Sequence, residues 1–180
     1  EKFILKFRLN PTALSKYLDC PLAFYYEKVL QIPSARTPSL GFGNAVHTAL
    51  EYYMNNRPLL KQGAYNAVLK YFEKGMEKYR SHFTSFEYEN YLIEGNKILP
   101  KFIEFHAESW LQSLDFKTEF KIPTEFQGVP LSGKLDRIDW IQSGIRVMDY
   151  KTGKADIKRV KPPSDKIPNG SDYWQQLVFY

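Results

Sequence analysis

A predicted β-hairpin in residues 131–154 constrains the fold of this chain more than any other segment. Residues 131–141 are rich in branched and aromatic side chains, and residues 145–151 alternate apolar and polar side chains, as strands do. Residues 142–144 between them read Gln-Ser-Gly, which is typical of a tight turn. The sequence therefore predicts two antiparallel strands joined by a short loop.

This hairpin is expected to bring two carboxylates and one ammonium group together. Side chains on a strand alternate between its faces, so Asp149 and Lys151 project on the same side. The hairpin register sets Asp136 opposite residues 149–151, directly or diagonally. Such acids suit a divalent cation, and a cation with a lysine beside it suits hydrolysis of a phosphodiester. The simpler alternative is an Asp/Lys ion pair on an exposed hairpin face.

Two further segments carry polar side chains at helical spacing. Residues 41–51 begin with glycine and continue as a predicted helix, with His47 and Glu51 one turn apart. Gln176 and Tyr180 are also one helical turn apart. Taken alone, His47 is more often an ordinary helix histidine than a ligand, and Gln176 and Tyr180 are more often a surface pair on a helix. Together with the hairpin acids, these residues form an ordered series.

That series resembles the RecB-like nucleases of the PD-(D/E)xK superfamily, which have the restriction-endonuclease-like fold. The matching segments span almost the whole chain in the family's order: residues 14–26 (LSKYLDCPLAFYY), 43–51 (GxxxHxxLE), 133–139 (GxxDRID), 149–153 (DYKTG) and 176–180 (QxxxY). Five linked motifs are far more specific than any one of them. Leu135 stands where the superfamily name has proline, a position that is loosely kept among such nucleases.

The resemblance implies metal ligands and catalytic residues at matching positions of this chain. The implied metal ligands are His47, Asp136, Asp149 and the backbone carbonyl of Tyr150. The implied catalytic residues are Asp136, Asp149, Lys151, Gln176 and Tyr180. Lys151 matches the lysine that positions or activates water, and Gln176 and Tyr180 match the motif that lies beside the active site and the DNA. The implied cofactor is Mg²⁺ or Mn²⁺, and an imidazole ligand makes Mn²⁺ slightly more competitive.

The predicted fold class is α/β, with a restriction-endonuclease-like core, a largely antiparallel or mixed central sheet, flanking helices and a helical N-terminal half. One domain is expected to cover residues 1–180, with helices at about 10–113 and the catalytic sheet and last helix at about 115–180. Because the chain opens without methionine and ends within an apolar helical pattern, we expect a fragment of a longer, helicase-associated protein.

Individual elements follow from local signals. A strand is predicted at residues 3–9, after which Asn10 caps a helix from Pro11 to about Asp19, and Pro21 starts another. Longer helices are predicted at residues 44–56, 62–80 and 86–113, the last kinked or ended near Pro100, and strands at 116–126, 129–141 and 145–151. Residues 154–170 are predicted to form a mobile basic loop, and Ser171 or Asp172 to cap a final helix.

The basic loop is a second candidate site. Its first cations, Lys154, Lys158, Arg159 and Lys161, directly follow the catalytic strand, so they are candidates for contacts with DNA phosphates. A merely solvated lysine-rich loop is the equal alternative.

Cys20 stands in a Cys-Pro dipeptide, which in some RecB-like nucleases resembles the first ligand of an iron–sulfur cluster. The other three cysteines of such a cluster would have to follow Tyr180, because the chain contains one cysteine and the cluster needs four thiolates. A small buried hydrophobic residue is the simpler reading of Cys20.

Charge and hydropathy narrow the class of protein. The chain has 25 basic and 20 acidic residues, and its formal net charge of +5 suits a polyanionic partner without identifying DNA. No apolar run is long enough to cross a membrane, no signal peptide opens the sequence, and one cysteine excludes an internal disulfide. We therefore expect a cytoplasmic protein with no membrane partner.

The expected function is a metal-dependent deoxyribonuclease in DNA repair or recombination, acting as an exonuclease on single strands or duplex ends, with a helicase domain or subunit as partner. The alternative is a catalytically silent nuclease fold that binds DNA or scaffolds a helicase complex. Endonuclease cleavage and RNA substrates stay open at this point.

Overall fold

A computed structural model describes residues 7–56 and 65–180. The chain divides into two compact units. The helical unit consists of Ala35–Phe120 and Leu135–Gly153, and the terminal unit consists of Glu1–Ser34, Lys121–Lys134 and Lys154–Tyr180. The single-domain expectation stays a prediction. The predicted strand at residues 3–9 and the predicted start of a helix at residue 62 lie partly outside the described residues.

Six α-helices and three strands occur among the described residues. The helices are α1 Pro11–Asp19, α2 Pro21–Phe24, α3 Pro38–Asn56, α4 Tyr65–Lys78, α5 Ser85–Leu111 and α6 Asp172–Phe179. The strands are β1 Asp115–Phe126, β2 Val129–Ile141 and β3 Gly144–Met148. A π-helical segment, Tyr25–Val29, extends α2, and short 3-10 helices cover Arg80–His82 and Ile157–Val160. The predicted α/β class, with a helical first half and an antiparallel sheet, is confirmed.

The helical unit is built around the apolar faces of α3, α4 and α5. Its core consists of buried side chains from these helices, with Trp110 and Phe72 the largest. Two glycines allow close approach: a Cβ at Gly75 would lie 2.8 Å from the Cα of Ala45, and a Cβ at Gly95 would lie 2.0 Å from the Phe72 ring. Burial of this apolar surface is the main stabilising contribution to the helical unit.

The helix ends agree with the capping signals in the sequence. The Asn10 side chain accepts a hydrogen bond from the Ala13 amide at 2.9 Å, and Pro11 occupies the first turn of α1, as predicted. Thr84 and Glu87 form a capping box at the start of α5. α5 continues through Pro100 instead of ending there, because Leu99 and Ile103 beside it are buried in the core.

The sheet has the order β1-β2-β3. Gln127 and Gly128, which join β1 to β2, both have positive φ, at +50° and +77°. Two successive residues in this region form a type I′ turn, whose twist matches that of the strands it connects. β2 and β3 pair antiparallel from Arg137 opposite Met148 to Ile141 opposite Gly144. The predicted hairpin and its turn are therefore confirmed.

β3 ends at Met148, before the predicted end at residue 151. The reason lies at Tyr150, whose backbone bonds to side chains instead of to a neighbouring strand. Its amide donates to the Asp136 carboxylate at 2.6 Å, and its carbonyl lies 3.0 Å from the Nε2 atom of His47. Backbone groups satisfied in this way have no need of a strand partner.

The terminal unit packs α1 against α6. The Ser15 hydroxyl donates to the Gln175 side chain at 2.7 Å, and a parallel bridge joins Leu9 to Leu131. The predicted basic loop contains the short helix Ile157–Val160, which the Asp156 side chain caps. α6 begins after Ser171, one of the two predicted capping positions, although the Ser171 side chain makes no capping hydrogen bond.

β2 also carries a buried ion pair that the sequence analysis did not assign. Arg137 and Asp139 are both fully buried, and Arg137 Nη2 donates to Asp139 Oδ2 at 2.8 Å. Asp139 also accepts from Arg146 at 2.8 Å and from the Ser113 hydroxyl at 2.8 Å. The Arg137 guanidinium lies over the Trp110 ring, 5.0 Å from its centroid. Each buried charge is thus paired, as burial requires.

Replacing Asp139 by alanine would leave the Arg137 guanidinium buried without its carboxylate. We expect the Asp139→Ala variant to lose about 3–5 kcal/mol of unfolding free energy, measured by urea denaturation, because an uncompensated buried charge is strongly destabilising. Glu104→Ala, at an exposed position on α5, is the control and should stay within about 0.5 kcal/mol of wild type. Equal stability of the two variants would contradict a structural role for the pair.

Candidate functional site

Asp136 on β2 is the centre of the candidate site in the helical unit. Its side chain is 13% exposed. The paired register of the hairpin ends at Arg137 and Met148, one residue short of both Asp136 and Asp149. One carboxylate oxygen, Oδ2, accepts the amide hydrogen of Tyr150 at 2.6 Å. The other, Oδ1, lies 3.2 Å from the Nδ1 atom of His47.

His47 reaches the site from α3. The neighbouring residues Ala45, Val46, Ala49 and Leu50 are buried in the core, which leaves the imidazole 29% exposed at the side of the helix. Both ring nitrogens face acceptors, since Nδ1 faces Asp136 and Nε2 lies 3.0 Å from the Tyr150 carbonyl. A neutral imidazole has one N–H donor, whereas the imidazolium has two. The surroundings of His47 therefore favour the imidazolium.

The electrostatics of His47 agree with this geometry. Burial lowers the pKa of the imidazole, but the hydrogen bond and the charge of Asp136 raise it. The Tyr150 carbonyl and the charge of Asp149 act in the same direction, so that the pKa lies above its ordinary value of 6.5. A cation bound between His47 and Asp136 would compete with this proton, because a metal-binding imidazole must be deprotonated at the ligating nitrogen.

Glu119 on β1 completes a group that the sequence analysis missed. Ligand atoms of His47, Glu119 and Asp136 all lie within 4.8 Å of one another. Glu119 adopts φ +51°, a region that side chains other than glycine rarely occupy. Strained backbone of this kind is often found at functional sites. The signal in the sequence was an acid inside a predicted strand, but the backbone conformation that turns it toward the site has no local signature.

Asp149 and Lys151 form an ion pair between Asp149 Oδ2 and Lys151 Nζ. The Asp149 side chain is 17% exposed and that of Lys151 38% exposed, so the ammonium group is accessible. Asp149 is close enough to His47 for its charge to raise the pKa of the imidazole. The structure thus pairs Asp149 with Lys151 on either side of Tyr150, whose amide bonds to Asp136. The close group of ligand atoms consists of His47, Glu119 and Asp136, so the role of Asp149 as a metal ligand stays a prediction.

Gly43, one helical turn before His47, explains the glycine in the α3 motif. A Cβ at this position would lie 3.3 Å from the Thr152 hydroxyl oxygen. The chain after β3 therefore passes close to α3 where glycine leaves room. A Cβ at position 43 would require the Thr152 hydroxyl to shift by a few tenths of an ångström.

Tyr150 anchors that segment through its ring. The ring makes edge contacts with His47 and Phe102, at centroid distances of 6.0 and 6.1 Å. Burial raises the pKa of the Tyr150 phenol to about 12, against the opposing effect of the nearby Arg137 guanidinium. With the side chain packed against the core, the backbone carbonyl is held toward His47.

The remaining predicted site residues belong to the terminal unit. Gln176 donates to the Tyr180 hydroxyl at 3.1 Å, and that hydroxyl donates to the Lys134 carbonyl at 3.1 Å. In the basic loop, Arg159 pairs with Asp172, and its guanidinium stacks 3.8 Å from the centroid of the Tyr173 ring. The charge of Arg159 is therefore largely offset.

Three of the predicted phosphate-binding side chains, Lys154, Lys158 and Lys161, are exposed. Their role in binding stays a prediction. Cys20 is also exposed rather than buried, and its sulfur accepts a hydrogen bond from the Ala23 amide at 3.4 Å as the N-cap of α2.

The donor set of the helical unit fits a divalent cation. One imidazole nitrogen and two carboxylates within 4.8 Å of one another match what Mn²⁺ accepts, and the oxygen atoms match what Mg²⁺ prefers. Without a cation, carboxylates this close repel one another. A cation among His47, Glu119 and Asp136 would remove that repulsion.

Comparison with known proteins identifies the family to which the chain belongs. A family model described as the PD-(D/E)XK nuclease superfamily matches residues 8–180, which include both units except for the first residues. A search among curated proteins found no match to the chain. None of the helices in the described ranges is both long and apolar enough to cross a membrane.

Replacing Glu119 by glutamine keeps the size of the side chain and removes its charge. We expect the affinity for Mn²⁺ to fall at least about tenfold, measured by calorimetric titration, since even partners of metal ligands contribute that much. Glu125→Gln, at an exposed position on the same strand, is the matched control and should bind Mn²⁺ as the wild type does. An unchanged affinity in Glu119→Gln would exclude Glu119 as a ligand.

Proposed function

Because the chain belongs to the PD-(D/E)XK nuclease superfamily, we propose that it is a metal-dependent deoxyribonuclease that hydrolyses phosphodiester bonds. The observation that carries this proposal is the convergence on Asp136 of His47 from α3 and Tyr150 from the segment after β3. The same segment supplies the Asp149–Lys151 pair. An exposed surface ion pair, the simpler alternative from the sequence, would not need a histidine and a third acid beside it.

We assign His47, Glu119, Asp136 and Asp149 to holding Mg²⁺ or Mn²⁺, with the backbone carbonyl of Tyr150 as a further ligand. A divalent cation supplies Lewis-acid chemistry, because it neutralises charge on the phosphodiester and makes a bound water more acidic. The direct support for this set is the approach of the His47, Glu119 and Asp136 ligand atoms. We include Asp149 in this set because its charge raises the pKa of His47 and because it matches the sequence motif.

We assign Lys151 to stabilising negative charge on the phosphate. Its ammonium group is held by Asp149 and is partly exposed, so it can donate hydrogen bonds to a phosphate oxygen without losing its position. A fixed ammonium of this kind stabilises charge that develops during hydrolysis at no cost of reorganisation. The ion pair favours this role over that of a base, which would require a neutral amine.

We further propose the RecB-like branch of the superfamily, exonuclease cleavage of single strands or duplex ends, and a role in DNA repair or recombination beside a helicase. The support is the order of the five sequence motifs, including Gln176 and Tyr180. An iron–sulfur cluster with Cys20 as one ligand stays a prediction of the same resemblance. The second candidate, a silent DNA-binding module, would be favoured by a missing acid or lysine, and the chain has them all.

Asp149→Ala removes the carboxylate that pairs with Lys151 and that we assign to the metal. We expect cleavage of end-labelled single-stranded DNA in Mn²⁺ to slow at least about 100-fold, the cost of losing one fixed group that stabilises charge. Release of label is followed on gels, and circular dichroism checks the fold. Asp165→Ala, at an exposed position, is the control and should cleave as fast as wild type. A wild-type rate in Asp149→Ala would reject this assignment, and no cleavage by the wild type would favour the silent module.

Substrate topology tests the exonuclease proposal. We expect the wild-type chain to degrade linear single-stranded DNA and to leave a covalently closed circle of the same sequence intact, because an exonuclease needs an end. Gel electrophoresis of both substrates after equal incubation with Mn²⁺ gives the comparison. Conversion of the circle to linear fragments would show endonuclease cleavage instead.

A further inference from the structure

A cleft in the terminal unit is lined by cations. It has a volume of about 710 Å³, and its basic side chains are those of Arg8, Lys28, Lys121 and Lys134. No aspartate or glutamate is among the described residues that line it. A concave surface lined by charges of one sign concentrates its electric field and attracts ligands of the opposite sign. The cleft is therefore suited to an anion.

The first turn of α1 adds to this positive potential. Asn10, Pro11 and Thr12, at the N-terminus of this nine-residue helix, border the cleft. Backbone amides in the first turn of a helix carry partial positive charge and are a common binding place for phosphate groups. The helix terminus and the four cations thus act in the same direction.

The cleft also contains one aromatic ring that is held in place. A Cβ at Gly133 would lie 3.2 Å from the Cε1 atom of Tyr180, so the ring rests against the backbone of β2. The Tyr180 hydroxyl donates to the Lys134 carbonyl at 3.1 Å, which fixes the ring at its other end. Beside it, Ile122 and Pro123 provide apolar surface. Cations that follow a backbone, together with an aromatic ring, are the combination found in grooves that bind single-stranded nucleic acid.

We propose that this cleft binds the sugar–phosphate backbone of single-stranded nucleic acid, with Lys121 and Lys134 contacting phosphates. This inference rests on the proposed function, because the cleft would be the surface on which the nuclease binds its substrate. The cleft volume lies in the range of pockets that hold a drug-sized ligand. A cleft of that size admits a few nucleotides of one strand.

The basic loop, the other candidate for phosphate binding, is a weaker one. Its Arg159 is already paired with Asp172, and Lys154, Lys158 and Lys161 are exposed side chains that line no part of this cleft. By contrast, the cations of the cleft converge on one concave space. Convergent charges keep a bound phosphate chain within reach of several donors at once, which scattered surface lysines do not.

The test compares two double variants of the full chain. Lys121→Gln/Lys134→Gln removes two cations of the cleft, and Lys97→Gln/Lys101→Gln removes two exposed cations of α5 as the matched control. The probe is a fluorescently labelled single strand of about 16 nucleotides, the upper end of the site sizes of common single-strand binding folds. Anisotropy is measured in EDTA, so that no cleavage takes place, over a series of salt concentrations.

We expect the affinity of the cleft variant to fall about 25-fold near 0.1 M salt, and its salt dependence to lose about 1.4 units of logarithmic slope, since each phosphate contact on a single strand contributes about 0.7. The control variant should bind within about twofold of wild type. Equal binding by the cleft variant and wild type, or an equal loss in both variants, would overturn the proposal. Circular dichroism of both variants checks that their folds are retained.

Two further probes separate this inference from the proposed function. The affinity of the wild type is also measured for a mononucleotide and for a blunt duplex. If either binds as tightly as the single strand, the assignment of a single strand is overturned. If the wild type cleaves DNA in Mn²⁺ while the cleft variant binds unchanged, the cleft assignment fails and the nuclease stands. If the wild type binds through the cleft but never cleaves, the nuclease proposal fails and the binding site stands.

Discussion

The two hydrogen bonds of the Asp136 carboxylate connect the parts of the candidate site. One oxygen faces His47 on α3 and the other accepts the Tyr150 amide just after β3. Helix α3 and the two sides of the β2–β3 hairpin therefore meet at one side chain that is 13% exposed. The residues on either side of Tyr150, Asp149 and Lys151, pair with each other, and the charge of Asp149 raises the pKa of His47.

Neighbouring charged residues of β2 have different roles. Asp136 belongs to the candidate site, while Arg137 and Asp139 form a fully buried ion pair against Trp110 and Met54. Burying charges costs free energy that is recovered only when the partners and their hydrogen bonds are complete. A shift of β2 by one residue would separate Arg137 from Met54 and Asp139 from Ser113, so the buried pair favours one register of the strand. The structural pair thereby supports the position of the functional acid.

The two compact units carry candidate sites of opposite charge. Acids of the helical unit suit a divalent cation, and cations of the terminal unit suit a phosphate chain. In the proposed nuclease, cations that attract a polyanion would complement acids that hold a divalent cation. The formal net charge of +5 does not indicate that acids and cations are grouped at different sites. That grouping is seen only when each charged residue is assigned to its surface.

Local sequence signals determined the elements of this protein. The alternation in the hairpin, the two-residue break between the predicted strands 116–126 and 129–141, and the Asn10 cap each depend on residues close together in the chain, and each was predicted correctly. Asp149 and Lys151 are paired in the structure although β3 ends at Met148, before the strand end that the alternation predicted. Their link to His47 in a common site came from a resemblance between ordered motifs.

Only the tertiary structure decided the rest. Glu119 enters the metal group through a backbone conformation with φ +51°, and no local rule predicts such a conformation for a glutamate in a strand. β3 ends at Met148 because Tyr150 bonds to two side chains from other elements, one of them on a helix that ends at Asn56. The basic cleft likewise collects Arg8, Lys28, Lys121 and Lys134 from four separate segments. The physical reason is the same in each case. Short-range periodicity determines on which face of a helix or strand a side chain lies, whereas packing between distant segments determines which residues contact that face.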